Sequence, residues 1–437
     1  MTRREFAATL AAATGTEANT HSFPLRVAKN RRHLVDQSGA PFLYHADAPW
    51  HLLYRPALEE IREYLENRRR KHFNTLQVQL LVDGDPYPSK EGGEPFATRR
   101  DLSTPNPPFF DHVDRVLKLC GSYGMQVALA PAWLGCCRGG WRDVLLENGP
   151  VKVRVFGQWL GRRYRRVPHL MWLLGGDRDP GKYLEVVRAL ALGIREGGAG
   201  HLMMAHAGSP VSAAEVYGGE RWLDVNTTYT YEPDTRGVGR PQYHVYRAAL
   251  VDYLRRPVRP FILLESAYEN ERNATPQRLR QQAYWALLSG ACGHAMGNAP
   301  MYQFERGWRQ ALDSRLSWDM SHLYGLFSSR PWHRLVPDPE HFWITGGTGT
   351  YSDTTEPERG NDYATVAASQ DGRLLMAYLP TPRPVTLNLK RLDPRAEARW
   401  FDPSSGAYLQ EDVQAVLRPP GRNAAGDRDW VLVVERS

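Results

Sequence analysis

The chain is poor in cysteine, with four in 437 residues: Cys136 and Cys137 are adjacent, and Cys120 and Cys292 stand alone. So few do not make a disulfide framework, and neither a CxxC pair nor a Cys/His cluster with zinc spacing is present. No structural metal site and no cofactor are expected. No apolar run approaches the roughly 20 residues that cross a bilayer, so no membrane partner is expected. The chain also lacks a glycine-rich phosphate loop after its first strand-like segment, which argues against a nucleotide-binding doubly wound sheet. A G-x-S-x-G elbow is missing, and neither Cys136 nor Cys137 sits in a nucleophile motif, so serine or cysteine catalysis has no support. Internal repeats and long low-complexity tracts are absent too.

Charge of one sign is not in short supply. Lys and Arg number 55 against 48 Asp and Glu, for a formal net charge of +7. The basic residues are dispersed along helical segments. Their densest runs, Arg68 to Lys71 and Arg162 to Arg166, fall at the ends of expected helices, where cations complement the dipole and the last carbonyls. They are expected to be solvated helix ends, and no nucleic-acid partner is expected. Hydrophobic residues make up 42% and charged residues 24%, ordinary for a globular protein. A chain this long fits a barrel plus one smaller domain. Tyr (21) and Trp (13) are plentiful, and such rings fill barrel cores as well as stack on sugars. At the N-terminus, Arg3-Arg4 followed by an Ala-rich stretch is similar to a twin-arginine export signal, although the stretch is short and no A-x-A site follows. Residues 1–24 are therefore expected to be leader and linker of an exported (periplasmic or extracellular) protein. The alternative is a frayed helical start in a cytoplasmic enzyme.

A rhythm of strands and helices follows a short strand-turn entry at 25–36. Strands are expected at 42–47, 74–81, 125–131, 169–174, 202–206, 223–228, 260–264 and 292–296. Helices are expected at 56–71, 109–123, 151–166, 182–196, 243–254, from Thr275 onward and at 312–327. Thr275 takes the cap position of its helix and Pro276 the first turn. Eight strands alternating with helices predict an α/β fold, a (β/α)₈ TIM barrel over 25–335. From about Val336 the helical period stops and short alternating segments appear between turn signals. Gln370-Asp371-Gly372-Arg373 is a hairpin turn by its Asp-Gly pair. Residues 336–437 are expected to form a small antiparallel β-sandwich.

Two carboxylates stand where apolar strands end. His169 to Leu174 runs into Gly175-Gly176-Asp177, and Pro260 to Leu264 runs into Glu265. Catalytic groups of barrels gather at this carboxyl edge. Two acids in one cleft are the minimum equipment for breaking a glycosidic bond: one stays protonated and one ionised. Asp177 and Glu265 are thus the catalytic candidates, the glycines before Asp177 allowing close approach of a bulky ligand. Tyr268 could hydrogen-bond an ionised carboxylate, and Trp133 could offer a stacking face. His45 and Asp47, two apart on the first strand, share a face, taken as the barrel interior or rim. They are expected to bind sugar hydroxyls, with Trp50 beside them. Gln77 and Gln79 alternate with apolar residues and should face inward. His206, Asn226, Tyr229 and Asn298 complete the expected substrate-binding set. A metal-dependent barrel hydrolase would use His45, Asp47 and His206, but strand eight offers His294 without the required Asp. A carbohydrate-binding barrel that has lost catalysis is a further alternative.

Together these segments resemble the apiosidase-like glycoside hydrolases, family 140 and its relatives. The resemblance is carried by Ala46-Asp47-Ala48-Pro49-Trp50, Phe73-Asn74-Thr75-Leu76-Gln77 and Trp172 to Asp177. Leu264 to Glu269 and Tyr284 to Ala291 add to it. It covers about residues 33 to 330, and the tail resembles the β module that follows this barrel, known in the family as collagen-binding. The resemblance implies Asp177 as general acid/base, Glu265 as nucleophile, no metal, and an oligo- or polysaccharide substrate. Two stretches depart from the family: Asn226 to Glu232 replaces a Gln-Ser-Gly-His-like segment, and the loop with Arg138-Gly139-Gly140-Trp141 is shortened. Such loops shape the sugar pocket, so chemistry carries over better than substrate.

Overall fold

The computed structural model describes residues 21–82, 87–135, 141–230, 244–271, 274–352 and 361–436. The paired arginines of the leader, Cys136 to Gly140, and Tyr231 with Glu232 lie outside the described residues. Three short strands, β1 (Arg26–Val27), β2 (Leu34–Val35) and β3 (Pro41–Phe42), form an antiparallel sheet. Its Leu34 and Phe42 pack into the barrel interior with Tyr44, Met171 and Met204, closing the lower end.

Eight parallel strands follow: β4 (Tyr44–Asp47), β5 (Thr75–Gln79), β6 (Gln126–Ala130), β7 (Leu170–Gly175), β8 (Met203–His206), β9 (Asn226–Tyr229), β10 (Phe261–Glu265) and β11 (Gly293–Met296). They neighbour one another in the order β8-β7-β6-β5-β4-β11-β10-β9. A parallel bridge between Met204 and Val225 joins the two ends, so the sheet is a closed barrel. Its helices are α1 (Leu58–Arg70), α2 (Pro107–Ser122), α3 (Trp141–Tyr164), α4 (Leu184–Glu196), α5 (Ala213–Tyr217), α6 (Val245–Leu254), α7 (Pro276–Leu288), α8 (Trp308–Ala311) and α9 (Arg315–Ser328). α7 starts as its sequence requires: Thr275 Oγ1 accepts from the Arg278 amide at 3.3 Å. α3 begins earlier than its periodicity suggested and breaks at Gly149, whose φ is 70°. No helix among the described residues is long and apolar enough to cross a membrane.

Strand alternation decides which side chains reach the barrel interior. On β4 the inward residues are Tyr44 and Ala46, with Ala48 and Trp50 continuing the face. His45 and Asp47 therefore point outward, between barrel and helices, which corrects their expected role in sugar binding. The His45 ring stacks on Phe73 with centroids 4.5 Å apart, and its Nδ1 lies 3.0 Å from His294 Nε2. Burial holds both imidazoles below their ordinary pKa. Asp47 forms a buried ion pair with Arg68 of α1 at 3.2 Å and accepts from the Tyr64 hydroxyl at 2.6 Å. The basic run at the end of α1 is thus not simply solvated. Arg68 also donates to Leu312 O at 3.0 Å, and buried Lys71 donates to Leu312 O and Asp313. Arg69 and Arg70 are exposed as expected, Arg69 pairing with Glu66 at the surface.

The remaining strands are antiparallel: β12 (Leu335–Pro337), β13 (Ile344–Gly346), β14 (Thr365–Ser369), β15 (Leu374–Leu379), β16 (Val385–Leu387), β17 (Glu397–Phe401), β18 (Tyr408–Glu411), β19 (Val416–Leu417) and β20 (Trp430–Glu435). A six-stranded sheet, β12-β14-β15-β20-β17-β18, faces a three-stranded one, β13-β16-β19. Leu375, Ala377, Trp400 and Leu432 meet Ile344, Val385 and Leu417 between them. The outer face of the larger sheet is buried as well: Met376, Tyr378, Val431 and Val433 pack on α7 and α9. Arg280 of α7, fully buried, sits at this junction and binds Asp319 at 2.5 Å, Asp429 at 2.8 Å and Asp427 at 2.9 Å.

Removing Asp47 would leave Arg68 as an uncompensated buried charge. Asp47→Ala is expected to lower unfolding free energy by about 3–5 kcal/mol in chemical denaturation. A variant of unchanged stability and raised KM would instead restore Asp47 to substrate binding.

Candidate active site

The interior of the barrel is lined by small and aliphatic groups, among them Ala128, Ala130, Met171, Leu173, Met204 and Ile262. Polar inward positions come at the carboxyl ends of the strands. By alternation these include Gln77 and Gln79 on β5, His206 at the end of β8 and Tyr229 at the end of β9.

Glu265 should not be among them. Ile262 and Leu264 both line the interior, and strict alternation would send the next residue outward. The ladder between β9 and β10 shows why it is not. Leu263 pairs with Thr228 and Glu265 with Tyr229, so Leu264 is an extra residue. A bulge of this kind re-aims the side chain that follows it. The displaced Leu264 carbonyl accepts a hydrogen bond from Gln77 Nε2 across the barrel at 3.2 Å. Gln77, expected to bind substrate, is wholly buried and supports the bulge instead.

Asp177 follows β7 through two glycines whose role also differs from expectation. A Cβ on Gly175 would lie 2.2 Å from the His206 carbonyl oxygen, and one on Gly176 2.7 Å from the Leu134 amide. The close approach is by the protein's own backbone, not by a ligand. It brings Asp177 beside β8. The beginning of the next loop is tied down by Arg178, whose Nε donates to Gly135 O at 2.8 Å.

Between the two acids stands His206. Its Nε2 is 2.9 Å from Glu265 Oε2 and 3.7 Å from Asp177 Oδ1. Side-chain exposure is 18% for Asp177 and 10% for Glu265, while the histidine is enclosed. One carboxylate oxygen from each acid and a ring nitrogen all lie within 4.8 Å of one another. Burial works against the imidazolium, but the hydrogen bond to Glu265 and the field of both acids outweigh it. The His206 pKa is raised.

Aromatic rings wall the trio. The His206 ring meets Tyr229 at 4.5 Å and Trp133 at 5.0 Å, and Trp133 meets Trp50 at 4.9 Å. Trp50 Nε1 donates to the Tyr268 hydroxyl at 2.8 Å. A Cβ on Gly297 would lie 2.4 Å from the Tyr268 ring, so only glycine leaves it room. Tyr302, in the loop after β11, was not legible as a site residue because no strand-end pattern marks it. Burial together with Glu271, Glu305 and Glu265 pushes its hydroxyl up to about 12.

Two expected substrate ligands are engaged elsewhere. Asn226 faces α5, accepting from the Ala214 amide at 2.7 Å and thereby satisfying a helix N-terminal donor. Asn298 is fully buried and donates to Glu269 Oε2 at 2.5 Å, while Glu269 accepts from the Leu316 amide of α9 at 3.2 Å. His206, Trp50, Trp133, Tyr229 and Tyr268 do lie around or beneath the acids, and Gln79 faces inward by alternation. By type and spacing, the trio could also grip a divalent cation. The metal-dependent barrel reading needs His45 and Asp47 of β4 as well, and both are engaged on the outer face, His45 with His294 and Asp47 with Arg68. A cleft of about 480 Å³ lies away from this mouth, at the lower end, lined by His33, Tyr253, Trp332 and Arg334.

A (β/α)₈ barrel with two acids at its carboxyl edge is the arrangement used by the glycoside-hydrolase class of TIM barrels. A family model described as "Apiosidase-like, catalytic domain" matches residues 28–334, and the chain belongs to this family. It is a glycosidase. A second model, described as "Putative collagen-binding domain of a collagenase", matches residues 354–435. Among solved structures, a glycoside hydrolase family 5 protein from Bacteroides vulgatus is similar at 23% identity and a TM-score of 0.81, covering 94% of this chain and 93% of that one. A structure named only as a glycoside hydrolase has 23% identity and a TM-score of 0.82, covering 95% of this chain and 97% of its own. These likenesses show the fold. No curated protein matches the chain.

Gln77→Leu would keep the bulk but leave the Leu264 carbonyl unpaired, at a cost of about 1–3 kcal/mol. The expected kinetic result is a larger fall in kcat than rise in KM, because the bulge that aims Glu265 relaxes. The reverse pattern would return Gln77 to substrate binding.

Proposed function

We propose that this glycosidase releases a terminal sugar from a complex polysaccharide with retention of anomeric configuration. Glu265 is the nucleophile and Asp177 the general acid/base. The observation that carries the reading is the closeness of the acids, with carboxylate oxygens within 4.8 Å. Retaining enzymes hold their carboxyl groups about 5–5.5 Å apart, whereas inverting ones need about 6.5–9.5 Å to admit water between acid and base. The low exposure of both acids and the wall formed by Trp50, Trp133 and Tyr268 fit a pocket that takes a chain end.

In the first step Glu265 attacks the anomeric carbon while Asp177 passes its proton to the leaving oxygen. In the second, Asp177 takes a proton from water, the water oxygen attacks the same carbon, and Glu265 leaves as a carboxylate. On the strength of Arg3-Arg4 and the alanine stretch, the proposed substrate lies outside the cytoplasm.

Incubation with fragmented polysaccharides and 4-nitrophenyl glycosides tests this reading. Glu265→Gln is expected to lose turnover by about 10⁴-fold or more while keeping its fold. Asp177→Asn should lose far more rate on natural linkages than on nitrophenyl leaving groups, which need no proton. Proton NMR of the first-formed sugar should show the substrate's anomer, and EDTA should leave the rate unchanged. Initial formation of the opposite anomer would overturn the assignment of Glu265 as nucleophile.

A further inference from the structure

The histidine between the acids has no assigned part in this two-acid scheme, yet its hydrogen bonds narrow where its protons can sit. His206 Nδ1 lies 3.0 Å from Ala207 O and 3.3 Å from Gly176 O. Both are carbonyls, which only accept, so Nδ1 carries a hydrogen. Nε2 faces Glu265 Oε2 at 2.9 Å, and that contact needs one proton between them. Either the ring is an imidazolium beside a carboxylate, or it is neutral and Glu265 is a carboxylic acid. A protonated Glu265 could not act as a nucleophile. Among the described residues, the titratable groups that face the ring are Asp177 from the loop after β7, Glu265 on β10 and Tyr229 on β9. The Tyr217 hydroxyl of α5 sits behind Gly175, and Trp133 covers the ring without charge.

We infer that His206 is an imidazolium that balances the charge of the reaction as it moves from one acid to the other. This rests on the roles proposed for Asp177 and Glu265. In the free enzyme Asp177 holds its proton, Glu265 is negative and His206 positive, so the trio is neutral. Once the glycosyl ester forms, Glu265 has lost its charge and Asp177 has gained one. His206 still carries its two protons, and the trio is again neutral. The ring is within 3.7 Å of the acid that becomes charged, so it exchanges one anionic partner for the other without moving a proton. Its bond to Oε2 also leaves Oε1 to attack and stabilises Glu265 as the leaving carboxylate in the second step. The raised pKa of the ring agrees with this.

His206→Gln keeps a neutral donor and removes the charge. On natural polysaccharide fragments, whose leaving groups need the proton, kcat is expected to fall about 100-fold. A cation beside a carboxyl favours its ionised form, and removing the cation takes that bias away. Both limbs of the pH–rate profile should therefore move to higher pH, which a packing defect alone would not do. Limbs that stay in place would overturn the role of His206. Nitrogen NMR of the ¹⁵N-histidine-labelled wild type gives a readout that needs neither a variant nor turnover. Two protonated ring nitrogens at neutral pH are expected for His206, and one bare nitrogen would overturn the inference. A 2,4-dinitrophenyl 2-deoxy-2-fluoroglycoside separates the two readings. A label on a residue other than Glu265 removes the parent scheme and this role with it, whereas a label on Glu265 with unmoved limbs removes only the role of His206.

Discussion

The two-residue alternation of the barrel strands is the constraint on which the rest of the structure depends. In a closed barrel each strand has an inner face of limited volume and an outer face that must be covered by helices. Side chains are committed to one or the other by their register. Ala46 and Ala128, which are inward, leave room at the centre, and Leu76, Val127 and Trp172, which are outward, make the layer beneath the helices. The same rule takes His45 and Asp47 out of the site and puts His206 in it. Buried outside the barrel, Asp47 finds Arg68, and two histidines find each other.

The site exists because that rule is broken once. A single extra residue at Leu264 turns Glu265 toward the mouth, and the stray carbonyl this creates is answered by Gln77 from the opposite wall. The second acid is placed by backbone crowding. Gly175 and Gly176 let β7 and its loop press against the His206 carbonyl and the Leu134 amide, which sets Asp177 close to β8. Two local departures from regular strand geometry thus bring acids from distant parts of the chain within a few ångströms. The C-terminal sheet buries one face on α7 and α9 and anchors Arg280 among three aspartates, so the barrel helices on that side are not a free surface.

Much of the fold was legible. The eight strands fall within a few residues of their expected places, because a parallel strand buried on both faces reads as a short apolar run. The cap at Thr275 and the Asp371-Gly372 turn were legible because each depends on one residue and its immediate neighbours. The acids were legible because they follow strand ends. Less visible were the partners. The Arg68 run has the composition of a solvated helix end, and nothing local says that Asp47 lies beneath it. Asn226 and Asn298 look like inward ligands until α5 and Glu269 are seen to claim them. Tyr302 carries no pattern at all.

By itself the sequence determined the order of elements, the family and the two carboxylates at strand ends, since these follow from local periodicity and short motifs. Only the tertiary structure decided which faces are inward, that a bulge re-aims Glu265 and that His206 stands between the acids. Those outcomes depend on pairing between strands far apart in the chain. A one-residue change of register there reverses the direction of a side chain while leaving the local sequence pattern untouched.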